Sequence, residues 1–315
     1  MTSNPASRPA VGVVLVIGSC LSLPFGAAIA AQLFPALGAW GVTSLRIGIA
    51  ALILLVFVRP RVRRWNRKQW VSAALFGVSL AGMNGFFYAG IERVPLGPAV
   101  AIEFLGPLLL SAVLTRRLMD GVWVALALAG MGLLGLDGML GAEPLDLLGV
   151  IFILIAAGFW VFYIRMSATV GEAIPGSGGL VVGLLVASVL LLPVGIPTVV
   201  TVSTSGDATT LLLLAILTAV LSSVIPYSFE LAALRRLPQR VFGVLLSLEP
   251  AFATLAGWLV LGQTATPLKL AAIALVVAAS AGTALSVRRA KSAPPGEEGP
   301  EEPGVFTGAI PIVPN

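Results

Sequence analysis

Long apolar stretches follow one another along most of this chain, separated by short polar or proline-containing breaks. A helix needs about 20 apolar residues to cross a hydrocarbon core about 30 Å thick. With this length as the window, the pattern predicts ten membrane-spanning helices, at residues 11–33, 41–58, 70–90, 98–115, 122–138, 148–165, 178–196, 210–233, 240–261 and 268–287. The two-residue alternation typical of membrane β-barrels does not occur. We therefore predict an all-α membrane protein.

The composition supports a membrane protein and narrows its chemistry. Hydrophobic residues make up 58% of the chain and charged residues only 10%, whereas a soluble domain has about 25% charged residues. The chain contains no histidine and a single cysteine, Cys20, which excludes a disulfide scaffold and a Ser–His catalytic pair. It also lacks the GxxxxGK[ST] loop of an ATP site. We expect no cofactor, no metal site and no enzymatic activity.

Lysine and arginine predict the orientation, because cytoplasmic loops are enriched in both. If the N-terminal tail, residues 1–10, is cytoplasmic, sixteen of the 19 basic residues fall on the inner side. The outer segments then hold only Arg93 and Lys269. Both termini are therefore predicted to be cytoplasmic. This bias also explains the basic run at 59–68, for which we expect anionic lipid rather than nucleic acid as the partner.

The last segment, residues 292–315, differs from the rest of the chain because it is rich in proline, glycine and glutamate. Such a segment has too little apolar surface to fold by itself. We predict a disordered cytoplasmic tail.

Motifs recur between the two halves of the chain at an offset of 143 residues. They are Arg93-Val94-Pro95 with Arg236-Leu237-Pro238, Ser79 with Ser222, and Pro107 with Pro250. The halves are residues 11–138 and 148–287, with five predicted spans each. Because five is odd, the second half enters the membrane from the opposite face. This indicates an inverted repeat, an architecture common among secondary transporters.

Four ionisable residues stand out inside predicted spans, where each costs about 2.5–3.5 kcal/mol on insertion scales. Arg46 and Glu103 have similar depths, so they either form a structural salt bridge or line a polar cavity. Glu249 lies near the middle of its span without an obvious partner, and it is the strongest candidate for a functional carboxylate. Glu230 lies near the cytoplasmic end of the eighth span, where the sequence favours an interfacial position beside Arg235 and Arg236.

Prolines accompany these carboxylates, since Glu103 precedes Pro107 and Glu249 directly precedes Pro250. A proline removes a backbone hydrogen bond and leaves a carbonyl free, which a membrane helix tolerates best beside a cavity. We expect helix kinks at Pro107, Pro250 and Pro226.

The repeat alignment places Asn84 opposite Tyr227, and we predict that both residues line the cavity wall. The alternative is that each forms only an interhelical hydrogen bond.

Several motifs resemble those of the threonine and homoserine exporters of the EamA-type drug/metabolite transporter superfamily. The resemblance covers about residues 11–290 and is carried by GVTSLR (41–46), GVSLAGMN (77–84), VPLGPAVAIEFLGP (94–107), IPYSFE (225–230) and SLEPA (247–251). Pro98 departs from the family pattern, and the acidic tail is additional.

The resemblance implies a ten-helix inner-membrane exporter of homoserine, threonine and related small metabolites, driven by protons. It implies a cavity between the two halves, where Arg46, Asn84, Glu103, Tyr227 and Glu249 would contact an amino acid. Glu249 and Glu103 are then the candidates for the proton-coupling groups. Two alternatives stay open: export of another metabolite or drug, and a membrane scaffold without transport.

Overall fold

The computed structural model describes residues 7–115, 118–140, 145–234, 236–237 and 239–291. Every regular element in these ranges is a helix. The α-helices are α1 (Ser7–Val58), α2 (Arg67–Ile91), α3 (Leu96–Glu103), α4 (Leu105–Thr115), α5 (Leu118–Leu140), α6 (Leu147–Ala173), α7 (Gly178–Leu190), α8 (Leu192–Thr204), α9 (Ala208–Ala219), α10 (Ile225–Leu234), α11 (Gln239–Leu246), α12 (Glu249–Leu261) and α13 (Pro267–Lys291). A 3-10 helix, Val62–Arg64, precedes α2, and a π-helical segment, Val220–Val224, joins α9 to α10. Residues 1–6, the predicted tail 292–315 and Arg235 lie outside the described residues.

The described helices confirm the all-α class and show a multi-pass membrane protein. Five are long and apolar enough to cross a membrane: Ala10–Val58, Arg67–Ile91, Leu147–Ala173, Ala208–Glu230 and Val241–Leu261. Helices α7 and α8, bent by 76° with respect to each other, form a sixth candidate. Shorter apolar helices occur at Leu96–Leu110, Gly121–Leu134 and Pro267–Gly282. The count of ten spans remains a prediction, because these three fall short of a full span.

Helix α1 contains a sharp break at Gly38. Its 52 residues would extend about 78 Å as a straight helix, more than twice the thickness of a hydrocarbon core. Gly38 has φ 66° and ψ 157°, a conformation that is essentially restricted to glycine. The chain therefore turns three residues after Pro35, close to the predicted end of the first span.

Two prolines end the helices before them at the same relative position. Helix α3 ends at Glu103, four residues before Pro107, and α11 ends at Leu246, four residues before Pro250. A proline ring clashes with the carbonyl four residues earlier and cannot donate a hydrogen bond to it. The irregular backbone around the site is therefore encoded by the proline positions.

The break predicted from Pro197 to Thr209 is wrong, because α8 continues through Pro197 to Thr204. The chain bends earlier, at Leu191, whose carbonyl accepts a hydrogen bond from Ser44 Oγ of α1 at 3.3 Å. The reason is tertiary packing of α8 on the second part of α1, which overrides the local preference of proline.

The bundle is held together mainly by α1, which packs against α7, α8, α9, α10 and α12. Helix α2 packs on α6 and α7, and α13 packs on α5. Large apolar side chains cover the outside, including Val14, Phe57 and Leu147, which are 67%, 80% and 74% exposed. In a bilayer these side chains would face lipid, so the polar groups of the interior define the candidate site.

Candidate functional site

A cavity inside the bundle brings together all five residues predicted for the cavity wall. Arg46, Asn84, Glu103, Tyr227 and Glu249 line it, with side chains from α1, α2, α3, α10 and α12. The volume open to the centre of a water molecule is about 100 Å³. On this measure, one bound water molecule needs about 10–15 Å³. The cavity therefore has room for several water molecules or one small solute.

The guanidinium of Arg46 is the cation of this cavity and is held by neutral groups. Its side chain is 3% exposed. Nη1 donates to the Ser222 carbonyl at 3.2 Å, and Nη2 donates to Asn84 Oδ1. Its central carbon lies 4.6 Å from the centre of the Tyr88 ring, a cation–π contact. Asn84 Nδ2 in turn donates to the Leu80 carbonyl at 2.8 Å, which fixes the amide.

The Ser222 carbonyl can accept from Arg46 because of a local feature of the sequence. Pro226, four residues later, has no N–H to donate to this carbonyl. The surrounding π-helical segment also lies close to α1: Ser22 Oγ donates to the Leu221 carbonyl at 2.7 Å, and Ser222 Oγ donates to the Leu23 carbonyl at 3.3 Å. Gly26 permits this approach, since a Cβ there would lie 2.8 Å from the Ser222 nitrogen.

Arg46 and Glu103 do not form a direct salt bridge, although both line the cavity. Among the described residues, the ion pairs are Arg93–Asp146 and Lys269–Asp137. The charge of Arg46 is therefore balanced only partly, by the dipoles of Asn84 and Ser222.

A third carboxylate, Glu230, lies in the same cavity as Glu103 and Glu249. Its Oε1 accepts a hydrogen bond from Ser19 Oγ at 2.8 Å. The predicted interfacial position beside Arg236 is wrong: the exposed side chain of Arg236 donates to the Ala232 carbonyl at 2.5 Å instead. Tyr227 and Glu230 are three residues apart and so share one face of α10, a spacing that could have identified Glu230 from the sequence.

Aromatic side chains form part of the cavity wall. Trp160 and Tyr163 of α6 both line the cavity. Trp160 also packs edge-on against Phe104, with ring centres 4.9 Å apart.

A second buried polar cluster, here termed the α5–α13 clasp, consists of Asp137, Thr266, Lys269 and Thr264. Asp137 Oδ2 lies 3.8 Å from Lys269 Nζ, and Asp137 Oδ1 accepts from Thr266 Oγ1 at 2.6 Å. Asp137 and Lys269 are 8% and 4% exposed. Each of the two charged side chains is therefore sheltered by the helix packed against it.

Within the described ranges, no group of three acidic or cysteine side chains is arranged to hold a metal ion. The cavity instead presents one guanidinium and three carboxylates, which suits a small molecule that carries charges of both signs.

Comparisons with known proteins agree with the resemblance seen in the sequence. The model of the EamA-like transporter family matches residues 147–285. The threonine/homoserine exporter RhtA of Escherichia coli (strain K12) is 39% identical over 280 residues, which are 88% of this chain and 92% of the relative. The protein of the same name from Salmonella typhimurium (strain LT2) has the same identity and coverage.

A solved crystal structure of another protein shares the fold, with a TM-score of 0.57 and 22% identity over 91% of this chain and 98% of that chain. The identity with the exporters extends over almost their whole length, and the family model covers the second half. On this evidence the chain belongs to the EamA-like transporter family.

Proposed function

We propose that this protein is a secondary active transporter that exports small amino acids, homoserine and threonine, across the inner membrane. The observation that carries the proposal is the cavity, in which Arg46 lies among three carboxylates. The names of the relatives supply the cargo, since they are threonine/homoserine exporters.

The cavity complements a zwitterion. Arg46 supplies the positive charge for the carboxylate of the cargo, and Glu103 or Glu249 accepts its ammonium group. Asn84 holds Arg46 in place through its Oδ1, so Tyr227 is the group that reaches the side-chain hydroxyl of the cargo.

Coupling to protons follows from the charges in the cavity. With all groups ionised, three carboxylates and one guanidinium leave two negative charges uncompensated. A buried uncompensated charge costs several kcal/mol, so the occluded states need extra positive charge. Protons on Glu249 and Glu103 supply it when the cavity is empty. A zwitterion adds no net charge, but its ammonium group pairs locally with one of these carboxylates and displaces that proton while its carboxylate pairs with Arg46, which gives proton antiport.

The architecture that we propose is ten membrane spans in two inverted repeats, residues 11–138 and 148–287, with both termini cytoplasmic. The matching helix ends before Pro107 and Pro250 support this symmetry. Two such units can rock about a central cavity and expose it to each side alternately.

The test is counterflow of labelled homoserine in proteoliposomes, with and without a pH gradient. We expect exchange without the gradient and faster net flux with it. Glu249→Gln, which mimics the protonated carboxyl, should retain exchange and lose the acceleration. Normal flux with normal pH dependence in Glu249→Gln would show that Glu249 is not the coupling group.

A second candidate is export of another metabolite or drug, favoured by the aromatic wall that Phe87, Trp160 and Tyr163 contribute. A growth screen against toxic compounds in cells with and without the protein separates the two: protection only from amino-acid analogues supports the first.

A further inference from the structure

Two buried hydrogen-bond donors in the cavity wall have no protein partner. In the described part of the chain, the buried side-chain atoms without a hydrogen bond are Arg46 Nε, Tyr88 Oη, Ser167 Oγ, Thr218 Oγ1 and Ser223 Oγ. Of these residues, Arg46 and Tyr88 line the cavity, and they are 3% and 1% exposed. Buried polar groups are nearly always hydrogen-bonded, so each exception needs an explanation.

The two unpaired donors belong to side chains in direct contact. The guanidinium of Arg46 stacks on the Tyr88 ring at 4.6 Å. Both of its terminal nitrogens are engaged, by Ser222 and by Asn84, while Nε–H is not. Arg46 is therefore fixed by three neighbours, and its Nε–H is left without a partner in a side chain that contacts the Tyr88 ring.

The chemistry of this pair defines its ligand. A guanidinium nitrogen only donates and a phenol readily donates, so the ligand must accept hydrogen bonds. An anionic acceptor suits the guanidinium best, because no carboxylate of the described residues lies within ion-pair distance of Arg46. The three nearby acids disfavour a dianion such as phosphate, whereas a carboxylate has one negative charge and an oxygen for each donor.

We infer that Tyr88 Oη and Arg46 Nε together bind the carboxylate of the cargo, so that this pair selects molecules with a free carboxylate. The inference rests on the proposed function and adds to it a residue, Tyr88, and a rule of specificity. Amides and amines of the same shape are excluded, since they have no negatively charged group that can accept a hydrogen bond from both donors.

Tyr88→Phe tests this role cleanly, because phenylalanine keeps the ring on which Arg46 stacks. Ligand binding is measured by thermal-shift titration of the purified protein with homoserine and with homoserine amide. We expect about a tenfold weaker affinity for homoserine, the loss of one hydrogen bond to a charged group, and no change for the amide. The empty variant should melt about 2–4 °C higher, because an unpaired buried hydroxyl has been removed.

Thr218→Val is the matched control. Thr218 Oγ1 is also buried and unpaired, but Thr218 does not line the cavity. This variant should gain stability in the same way and bind homoserine as the wild type does.

An unchanged affinity of Tyr88→Phe for homoserine would overturn the inference, as would an equal loss for homoserine and its amide. Binding of propionate compared with binding of propionamide distinguishes a failure of this inference from a failure of the proposed function. If the wild type ignores homoserine but binds propionate more tightly than propionamide, and Tyr88→Phe removes the difference, the cargo is wrong and the carboxylate site stands. Equal binding of all acids and amides by the wild type would overturn the site itself.

Discussion

The cavity and the α5–α13 clasp both bury charges inside one bundle, and they differ in how completely those charges are satisfied. In the clasp, both oxygens of Asp137 are engaged, one by Thr266 and one by Lys269. In the cavity, the carboxylates of Glu103 and Glu249 accept no hydrogen bond from the described residues, and Arg46 contacts only neutral oxygens. The charges of the clasp are therefore satisfied within the protein, whereas the charged groups of the cavity can still bind a ligand.

This difference assigns separate roles to two sets of charges that look alike in the sequence. A fully bonded pair fixes one helix against another, here α5 against α13. An incompletely bonded set can still form hydrogen bonds, which is the property that the proposed binding of cargo and protons requires. Variants that remove a charge from the cavity or from the clasp should therefore differ in their effects on transport and on stability.

The largest effect is expected from Arg46→Gln. The change removes the cation that we propose to bind the cargo carboxylate, and the loss of one partner from a buried charge pair costs about 2–5 kcal/mol. Homoserine transport should fall by about 100-fold or more, measured as initial rates in proteoliposomes and normalised to folded protein. Rates within threefold of wild type would mean that the cavity does not use this charge.

Asp137→Asn should affect stability and not transport. It leaves Lys269 buried without its counter-charge, which lowers the free energy of unfolding by about 3–5 kcal/mol. Replacing both residues, Asp137→Leu with Lys269→Met, should restore most of the loss because no unpaired charge remains. Denaturation in detergent measures this cycle.

If the double variant folded normally but transported homoserine at less than a third of the wild-type rate, a purely structural role of the clasp would be contradicted.

Glu230→Gln tests whether the third carboxylate belongs to the functional set. It removes one negative charge and alters the hydrogen bond with Ser19, so we expect transport to fall by about tenfold, the value of one hydrogen bond to a charged group. Glu172→Gln provides the control, because Glu172 is exposed at the end of α6 and should transport normally. Equal transport rates for the two variants would show that Glu230 has a purely structural role.

The smallest effect is expected from Pro226→Ala. An alanine restores a backbone N–H that can bond to the Ser222 carbonyl and compete with Arg46. One neutral hydrogen bond corresponds to about 0.5–1.5 kcal/mol, so the KM for homoserine should rise about threefold. A KM below the wild-type value would show that the free carbonyl does not help to position Arg46.

Much of the site could be predicted because charges and prolines are rare inside membrane helices and costly there. Arg46, Glu103 and Glu249 stood out for that reason, and the internal repeat added Asn84 and Tyr227. The positions of the helix ends before Pro107 and Pro250 follow from proline geometry alone.

The remaining residues required the three-dimensional structure. Glu230 was misplaced because the sequence gave its depth in a span but not which way its side chain points, and π-helical residues at Val220–Val224 alter the rotation of the helix that carries it. Tyr88 was not among the residues predicted from the sequence, since nothing in the sequence reveals that its hydroxyl is unpaired. The Asp137–Lys269 pair joins residues far apart in the chain, so the sequence did not indicate that they are partners.

If the cavity exchanges an amino acid for protons, as we propose, transport of homoserine must change the pH on the other side of the membrane. Proteoliposomes that contain a pH-sensitive dye receive homoserine on the outside, without an initial pH gradient. Entry of homoserine through an antiporter expels protons, so the lumen should become alkaline with wild-type protein and stay constant with Arg46→Gln. Homoserine entry without any change in luminal pH would contradict proton coupling, and no entry at all would contradict the proposed cargo.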